Sequence, residues 1–442
     1  MSTPRIVYFV CSSALHVNLF ASTIRSVALS GCMQPIILSL DSFYKRVHGN
    51  VKASASALQL PAVIVDTVFA RGAQAGFIAK VYASQRFGVQ EFVNILKKNK
   101  TSLVVLGNDT GHAERAVIAA ASRLNIKTLL VQDGFLFDQF PKGFSGRFWL
   151  MVRKLWLILG GNRLGWVPYG MGGCHAIAVH GRSWMETILR GKRGATKRIE
   201  VTGHPALISP GSQIATPLCG HDVLYFCSNF LSAHKDADAH VNQIDEIIAL
   251  RDLLRERYGD CVTLYVKLHP ADRLEDYATL SSMNGVILHK DAVLNDLIQK
   301  SWLCVTNISS ASLECLAAGR VCLMSGISMK SRSYRRLFAS LPGTKFLTWE
   351  ALRVWLDQLD SATGYTQALA MQREGLESWV GDFGKGTERL VALIGELSMT
   401  NTAWPESEKI QLTVDETVEP PSHGSRQHSA TSIHTNAGRF VG

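Results

Sequence analysis

Two polar clusters in the second half of this chain carry the residue types that bind a phosphorylated ligand. Lys267-Leu268-His269-Pro270 closes the apolar run 262–266, and Ser309-Ser310-Ala311-Ser312-Leu313-Glu314 follows the apolar run 302–306. A cation and an imidazole on one loop can meet phosphate oxygens, and hydroxyls with free N–H groups at a helix start can hold the same anion. Glu314, one turn in, is placed to accept hydrogen bonds from both ribose hydroxyls. Ser228, at the end of the run 222–227, joins the set as a strand-end hydroxyl. Together these residues suit a nucleotide.

The first half offers acids and a histidine. Val131-Gln132-Asp133-Gly134-Phe135 puts a carboxylate at a strand end before a glycine. Asp-Gly is ordinary turn chemistry there; in a cleft, Asp133 could instead remove a proton from an acceptor hydroxyl as a general base. In Asn108-Asp109-Thr110-Gly111-His112-Ala113-Glu114, the plain reading makes Asp109 or Thr110 a helix N-cap, with acceptor binding by Asp109 and Glu114 second. His16, after Cys11-Ser12-Ser13, either lines the cleft as an acceptor contact or is structural. Among the donor-side residues, His269 would bind a phosphate or the base, and Lys267 supports it or is a solvated strand charge. Ser310 is the expected cap of the helix that ends at Gly319, compatible with phosphate binding at the same helix start.

These residues need a scaffold that brings loop ends together. Apolar runs at 6–11, 34–39, 61–66, 102–107, 127–132, 176–180, 222–227, 262–266, 302–306 and 320–324 alternate with helix-like stretches, the pattern of parallel α/β sheets. Open parallel sheets bind ligands beyond the carboxyl ends of their strands. Two doubly wound domains facing each other across a cleft are therefore expected: residues 1–204, a Pro/Gly/Ser-rich linker at 205–220, residues 221–399, and a polar, disordered tail at 400–442. Thr202-Gly203-His204-Pro205 reads as the turn where the chain crosses between them.

Nine cysteines lie scattered without CxxC pairs or zinc spacing, so reduced thiols are expected, with neither a metal nor a disulfide framework. The start, Met1-Ser2-Thr3-Pro4-Arg5, leads straight into a strand and does not read as a signal peptide, so a cytoplasmic location is expected. From Lys142 to Arg198 eleven Lys/Arg face one acid, Glu186, which accounts for the whole net charge of +10. Within that segment, 148–159 is apolar and aromatic with a basic break, too short to span a bilayer. It could lie on an anionic membrane surface at the inner face of the cytoplasmic membrane, or pack as an interdomain helix. No nucleic-acid-binding module accompanies the charge.

The order Gln-Asp-Gly-Phe-Leu (132–136), Val-Thr-Gly-His-Pro (201–205), Lys-Leu-His-Pro (267–270) and Ser-Ser-Ala-Ser-Leu-Glu (309–314) resembles bacterial GT-B glycosyltransferases of surface-polysaccharide synthesis. It is most similar to the capsular Kdo transferases and the sialyl- and polysialyltransferases that use CMP-sugars. The resemblance implies an inverting, metal-independent transfer without a cofactor, from a CMP-activated sugar to a glycan or glycolipid. In it Asp133 is the catalytic base, His269 and Pro270 contact the CMP, and Ser309, Ser310 and Ser312 hold its phosphate. Gln132 stands where that family has a second acid. CDP-glycerol polymerases and UDP-sugar users share the Lys-x-His-Pro and Ser/Glu loops. A UDP-sugar 2-epimerase and a non-catalytic partner in glycan synthesis remain alternatives.

Overall fold

A computed structural model describes residues 4–44, 50–66, 88–134, 169–190, 198–207, 220–231, 236–269 and 272–400. Pro270, residues 142–168 and 191–197 of the basic segment, and the tail from 401 lie outside the described residues.

Two parallel sheets form the framework. The first holds β1 (Arg5–Cys11), β2 (Met33–Ser39), β3 (Val63–Asp66), β4 (Thr101–Leu106), β5 (Lys127–Val131), β6 (Ala176–Val179) and β7 (Arg198–Val201), in the order β3-β2-β1-β4-β5-β6-β7. The second holds β8 (Val223–Phe226), β9 (Leu264–Lys267), β10 (Val286–His289), β11 (Leu303–Thr306), β12 (Val321–Ser325) and β13 (Thr344–Phe346), in the order β10-β9-β8-β11-β12-β13. Every neighbouring pair is parallel. This is the two-domain Rossmann-like arrangement of the GT-B fold.

The central strands are apolar on both faces because helices cover both sides of such sheets. In β1, Tyr8 and Val10 pack into one core, and Val7, Phe9 and Cys11 into the core on the opposite face. The strands that the sequence pattern did not announce, β7, β10 and β13, are all edge strands. Charges interrupt β7 and β13, and the apolar run of β10, Val286-Ile287-Leu288, is too short to read as a strand.

The strand order reverses between β1 and β4 in the first sheet and between β8 and β11 in the second. Loops diverge at such switch points and leave a crevice beyond the strand ends. The residues singled out above follow these strands or their neighbours: His16 after β1, Asp109 after β4, Asp133 after β5, Ser228 after β8, His269 after β9 and Ser309–Ser312 after β11.

One feature departs from the expected division at 205–220. The helix Gly386–Met399 crosses back to the first sheet, where Leu390, Leu393, Ile394 and Leu397 join the core around Val7 and Phe9. Its apolar positions repeat at helical spacing, which shows that a face is buried but not against which sheet. No helix among the described residues is long and apolar enough to cross a membrane. The eight cysteines among the described residues are free thiols.

Candidate functional site

On the first sheet, Asp133 and His16 come together. His16 Nε2 lies 3.3 Å from Asp133 Oδ2. The backbone N–H of Ser12 points at His16 Nδ1, 3.2 Å away. Because an amide N–H can only donate, Nδ1 is the acceptor and Nε2 carries the proton that faces Asp133. The histidine side chain is only 4% exposed, whereas Asp133 is 25% exposed. Of the two readings the sequence left open for His16, acceptor contact does not fit this burial and the structural one does: the imidazole is a buried support for the carboxylate that does reach solvent.

Gly107, just after β4, makes room for this pair: a Cβ there would sit 2.8 Å from His16 Cδ2. Only a residue without a side chain lets the imidazole lie against the strand end.

Asp109 and Glu114 are corrected more sharply. Asp109 is fully buried, and its carboxylate accepts the backbone N–H groups of Gly170 at 3.0 Å and Gly172 at 2.6 Å. It anchors a loop, and the N-cap position belongs to Gly111. Glu114 is 2% exposed and accepts the Tyr44 hydroxyl at 2.6 Å. Both carboxylates are enclosed and held by the chain's own donors. Buried Arg115 lies between these acids, which favour its charged form, although burial as the larger effect lowers its pKa.

On the second sheet, His269 stands at the end of β9. Asn229, after β8, donates its amide to His269 Nδ1 at 3.0 Å, which leaves Nε2 as the protonated nitrogen. The His269 N–H donates to Asp272 Oδ2 at 3.3 Å. Desolvation lowers the imidazole pKa, with Lys267 pushing the same way and Asp272 opposing, so the ring is neutral near pH 7. Lys267 is half-buried, and its ammonium donates to the carbonyls of Leu268 at 2.9 Å and Lys290 at 2.7 Å. It ties the ends of β9 and β10 together.

The serines divide their work. Ser228 Oγ accepts the Ile308 N–H at 3.0 Å, so it staples the β8 and β11 loops. Ser310 occupies the cap position of the helix Ala311–Ala317 but makes no side-chain cap bond; Ser309 Oγ accepts the Ala311 N–H at 3.2 Å instead. Ser312 Oγ donates to Ser309 O at 2.9 Å. Among the described residues, the Ser310 hydroxyl is thus the one of these serines without an intrachain bond. Gly319 closes the helix as expected, the Arg320 N–H donating to Cys315 O at 2.9 Å.

Glu314 is accessible to water yet ringed by protein, and this desolvation lifts its carboxyl from 4.5 to about 7. Accessibility and desolvation coexist when a side chain lines a cleft rather than an open surface.

A buried polar cluster beneath this loop had no sequence signal. Glu246 is 3% exposed and carries a carboxylate inside the fold. It accepts the Tyr225 hydroxyl at 3.0 Å, the Asn307 amide at 3.2 Å and the Ser328 N–H at 2.8 Å. These bonds join β8, the β11 loop and the loop after β12 from below. What Asn229 and Gln132 do, and why a glycine is needed at 107, also escaped sequence reading, because these depend on partners 40 or more positions away or on a close approach.

No family model matches the chain, and no curated protein matches its sequence. Solved structures do share its fold. A UDP-GlcNAc 2-epimerase from Neisseria meningitidis, bound to UDP-GlcNAc, aligns with a TM-score of 0.56 at 12% identity, covering 88% of this chain and 100% of that one. A glycosyltransferase from Rickettsia africae aligns at 0.54 and 12% identity, covering 91% and 100%. The glycosyltransferase SnogD from Streptomyces nogalater aligns at 0.51 and 12% identity, covering 90% and 100%. At these identities the likeness establishes the GT-B fold.

Proposed function

We propose that this protein is a glycosyltransferase that moves a sugar from a nucleotide donor onto a hydroxyl of a glycan or glycolipid. The observation that carries this reading is the contrast among the three acids singled out at the ends of β4 and β5 and on the helix that follows β4. Asp109 and Glu114 are buried and bonded, whereas Asp133 reaches solvent at the carboxyl edge with a protonated imidazole nitrogen holding one oxygen. That leaves the other oxygen to accept the acceptor's proton.

The donor belongs on the second sheet. His269 Nε2–H and the Ser310 hydroxyl are the groups offered to a phosphate, and Glu314 to a ribose. In the step, the acceptor oxygen attacks the anomeric carbon, the bond from that carbon to the phosphate oxygen breaks, and the nucleotide leaves with the electron pair. The acceptor proton ends on Asp133. His269 and Ser310 stabilise the charge that develops on the phosphate. The helix Ala311–Ala317 has only seven residues, so these side chains carry more of that task than its dipole. A CMP-activated sugar is the donor suggested by the motif resemblance, and the cations that flank the buried strand β6 within the basic segment 142–198 are assigned to an anionic membrane surface near the acceptor.

A second reading draws support from the Neisseria epimerase's fold: interconversion of one nucleotide sugar without an acceptor. Incubation with CMP-, UDP-, GDP- and CDP-activated sugars separates the two. Acceptor-dependent nucleotide release supports transfer; isomerisation of the donor alone supports the second reading. Asp133→Asn should abolish transfer and leave nucleotide affinity within about twofold; an unaffected rate removes Asp133 from its role. Cosedimentation with anionic vesicles at low salt tests the membrane assignment, which a fully soluble protein would refute.

A further inference from the structure

We infer that Gln132 and His180 are positioning residues for Asp133, and that they tie this carboxylate to the place where the chain crosses between the two sheets. The inference rests on the general-base reading of Asp133.

Gln132 is fully buried and bonded at every polar position. Its Nε2 donates to the carbonyl of Gly134 at 2.7 Å, so its side chain arches over Asp133 and fixes the residue after it. Its Oε1 accepts the His180 N–H at 3.0 Å, and its own carbonyl accepts His180 Nε2 at 2.8 Å. Asp133 is thereby clamped between two backbone units that cannot shift without breaking bonds to the buried Gln132 side chain. An ionised glutamate at 132 has the same shape but no donor and would face the Gly134 carbonyl with a lone pair, and keeping the donor would require the acid to stay protonated. This gives a physical reason for an amide here in place of a second acid.

His180 continues the chain of contacts. It is 1% exposed, and its ring lies 4.2 Å from that of His204, centroid to centroid. The His204 N–H donates to Val380 O at 3.2 Å, and the Thr387 hydroxyl to Pro205 O at 2.6 Å. The chain passes from the first sheet to the second after residue 204, and returns through 380–387. Both crossings meet at His180. Gly381 (φ +67°) packs so closely that a Cβ would stand 2.9 Å from the His180 carbonyl. A displacement of one sheet against the other at this point therefore reaches Asp133 through two side chains.

Gln132→Glu, His180→Phe and His180→Gln test the inference. Phenylalanine keeps the ring contact and loses the donor; glutamine keeps a donor. In folded protein, Gln132→Glu and His180→Phe should lower kcat at least about tenfold with nucleotide affinity unchanged, and His180→Gln should recover most of the loss. Hydrogen exchange of the peptide containing Asp133 and Gly134 supplies a readout independent of turnover. It should quicken in Gln132→Glu while the β4 end at Leu106 stays protected. Unchanged exchange there, or a kcat loss matched by an equal loss of nucleotide affinity, overturns the inference. If the wild-type protein turns over no nucleotide sugar, the transferase reading falls by itself, and exchange still decides whether Gln132 holds the loop.

Discussion

Acidification should weaken this protein through the histidine pair at the sheet crossing, and the size of the effect follows from its burial. Desolvation drops the His204 pKa from 6.5 to about 4. Desolvation, and then the neighbouring His204, push His180 well below 6.5. Between these values the unfolded chain binds protons that the native protein refuses. Stability is thus fully present above pH 6.5, falls as pH drops below it, and levels off under the folded pKa. At about 1.4 kcal/mol per pKa unit, His204 alone accounts for about 3 kcal/mol, taken as a ceiling because part of the residue reaches the surface. That is a large share of the roughly 5–15 kcal/mol by which domains are stable. The measurement is the urea midpoint across this window in wild type and in His204→Phe, which keeps a ring but cannot titrate. Losing the bond from the Ala206 N–H to His204 Nδ1 lowers the variant's stability at every pH, so the slopes are compared, not the absolute values. Glu314 titrates in the opposite sense: its raised carboxyl favours the native state as pH falls from about 7 to 4.5, but it is common to both proteins. The wild-type slope should exceed the variant's by up to about 1.4 kcal/mol per pH unit. Equal slopes would refute the reasoning.

Nucleotide affinity should fall as pH drops through about 7, because a protonated Glu314 accepts ribose hydroxyls poorly, and Glu314→Gln should flatten that dependence in titration calorimetry. Removing the imidazole in His16→Ala should cost about 100-fold in kcat through loss of orientation, with partial recovery in His16→Gln, which keeps a donor toward Asp133; full activity in His16→Ala would exclude the support role. Gly107→Ala, whose new methyl would meet His16, should lower kcat in steady-state assays without changing donor affinity. Asn307→Leu should destabilise the fold by about 2–4 kcal/mol in urea melts, since it strips a donor from the buried Glu246 carboxylate.

The sequence alone determined the alternation of strands and helices, because buried parallel strands leave long apolar runs, and it located the loops at their ends. It also marked His269, the serines and Asp133 as the polar residues at those ends. Neighbours in sequence sufficed for this, since a strand end and its loop are local. What each side chain does there was settled by partners far along the chain. Asp109, Glu114 and Asp133 read alike as acids after or near a strand, yet only Asp133 reaches solvent; the other two are enclosed by Gly170, Gly172 and Tyr44. His16 became a support because Ser12 and Gly107 fix and enclose it, and Ser310 stayed open because Ser309 took over the cap. The return of the helix Gly386–Met399 to the first sheet, and the convergence of both crossings on His180, depend on packing between segments roughly 200 to 390 residues apart. Burial against a distant surface and the direction of a hydrogen bond have no local signature, so only the tertiary structure could decide them.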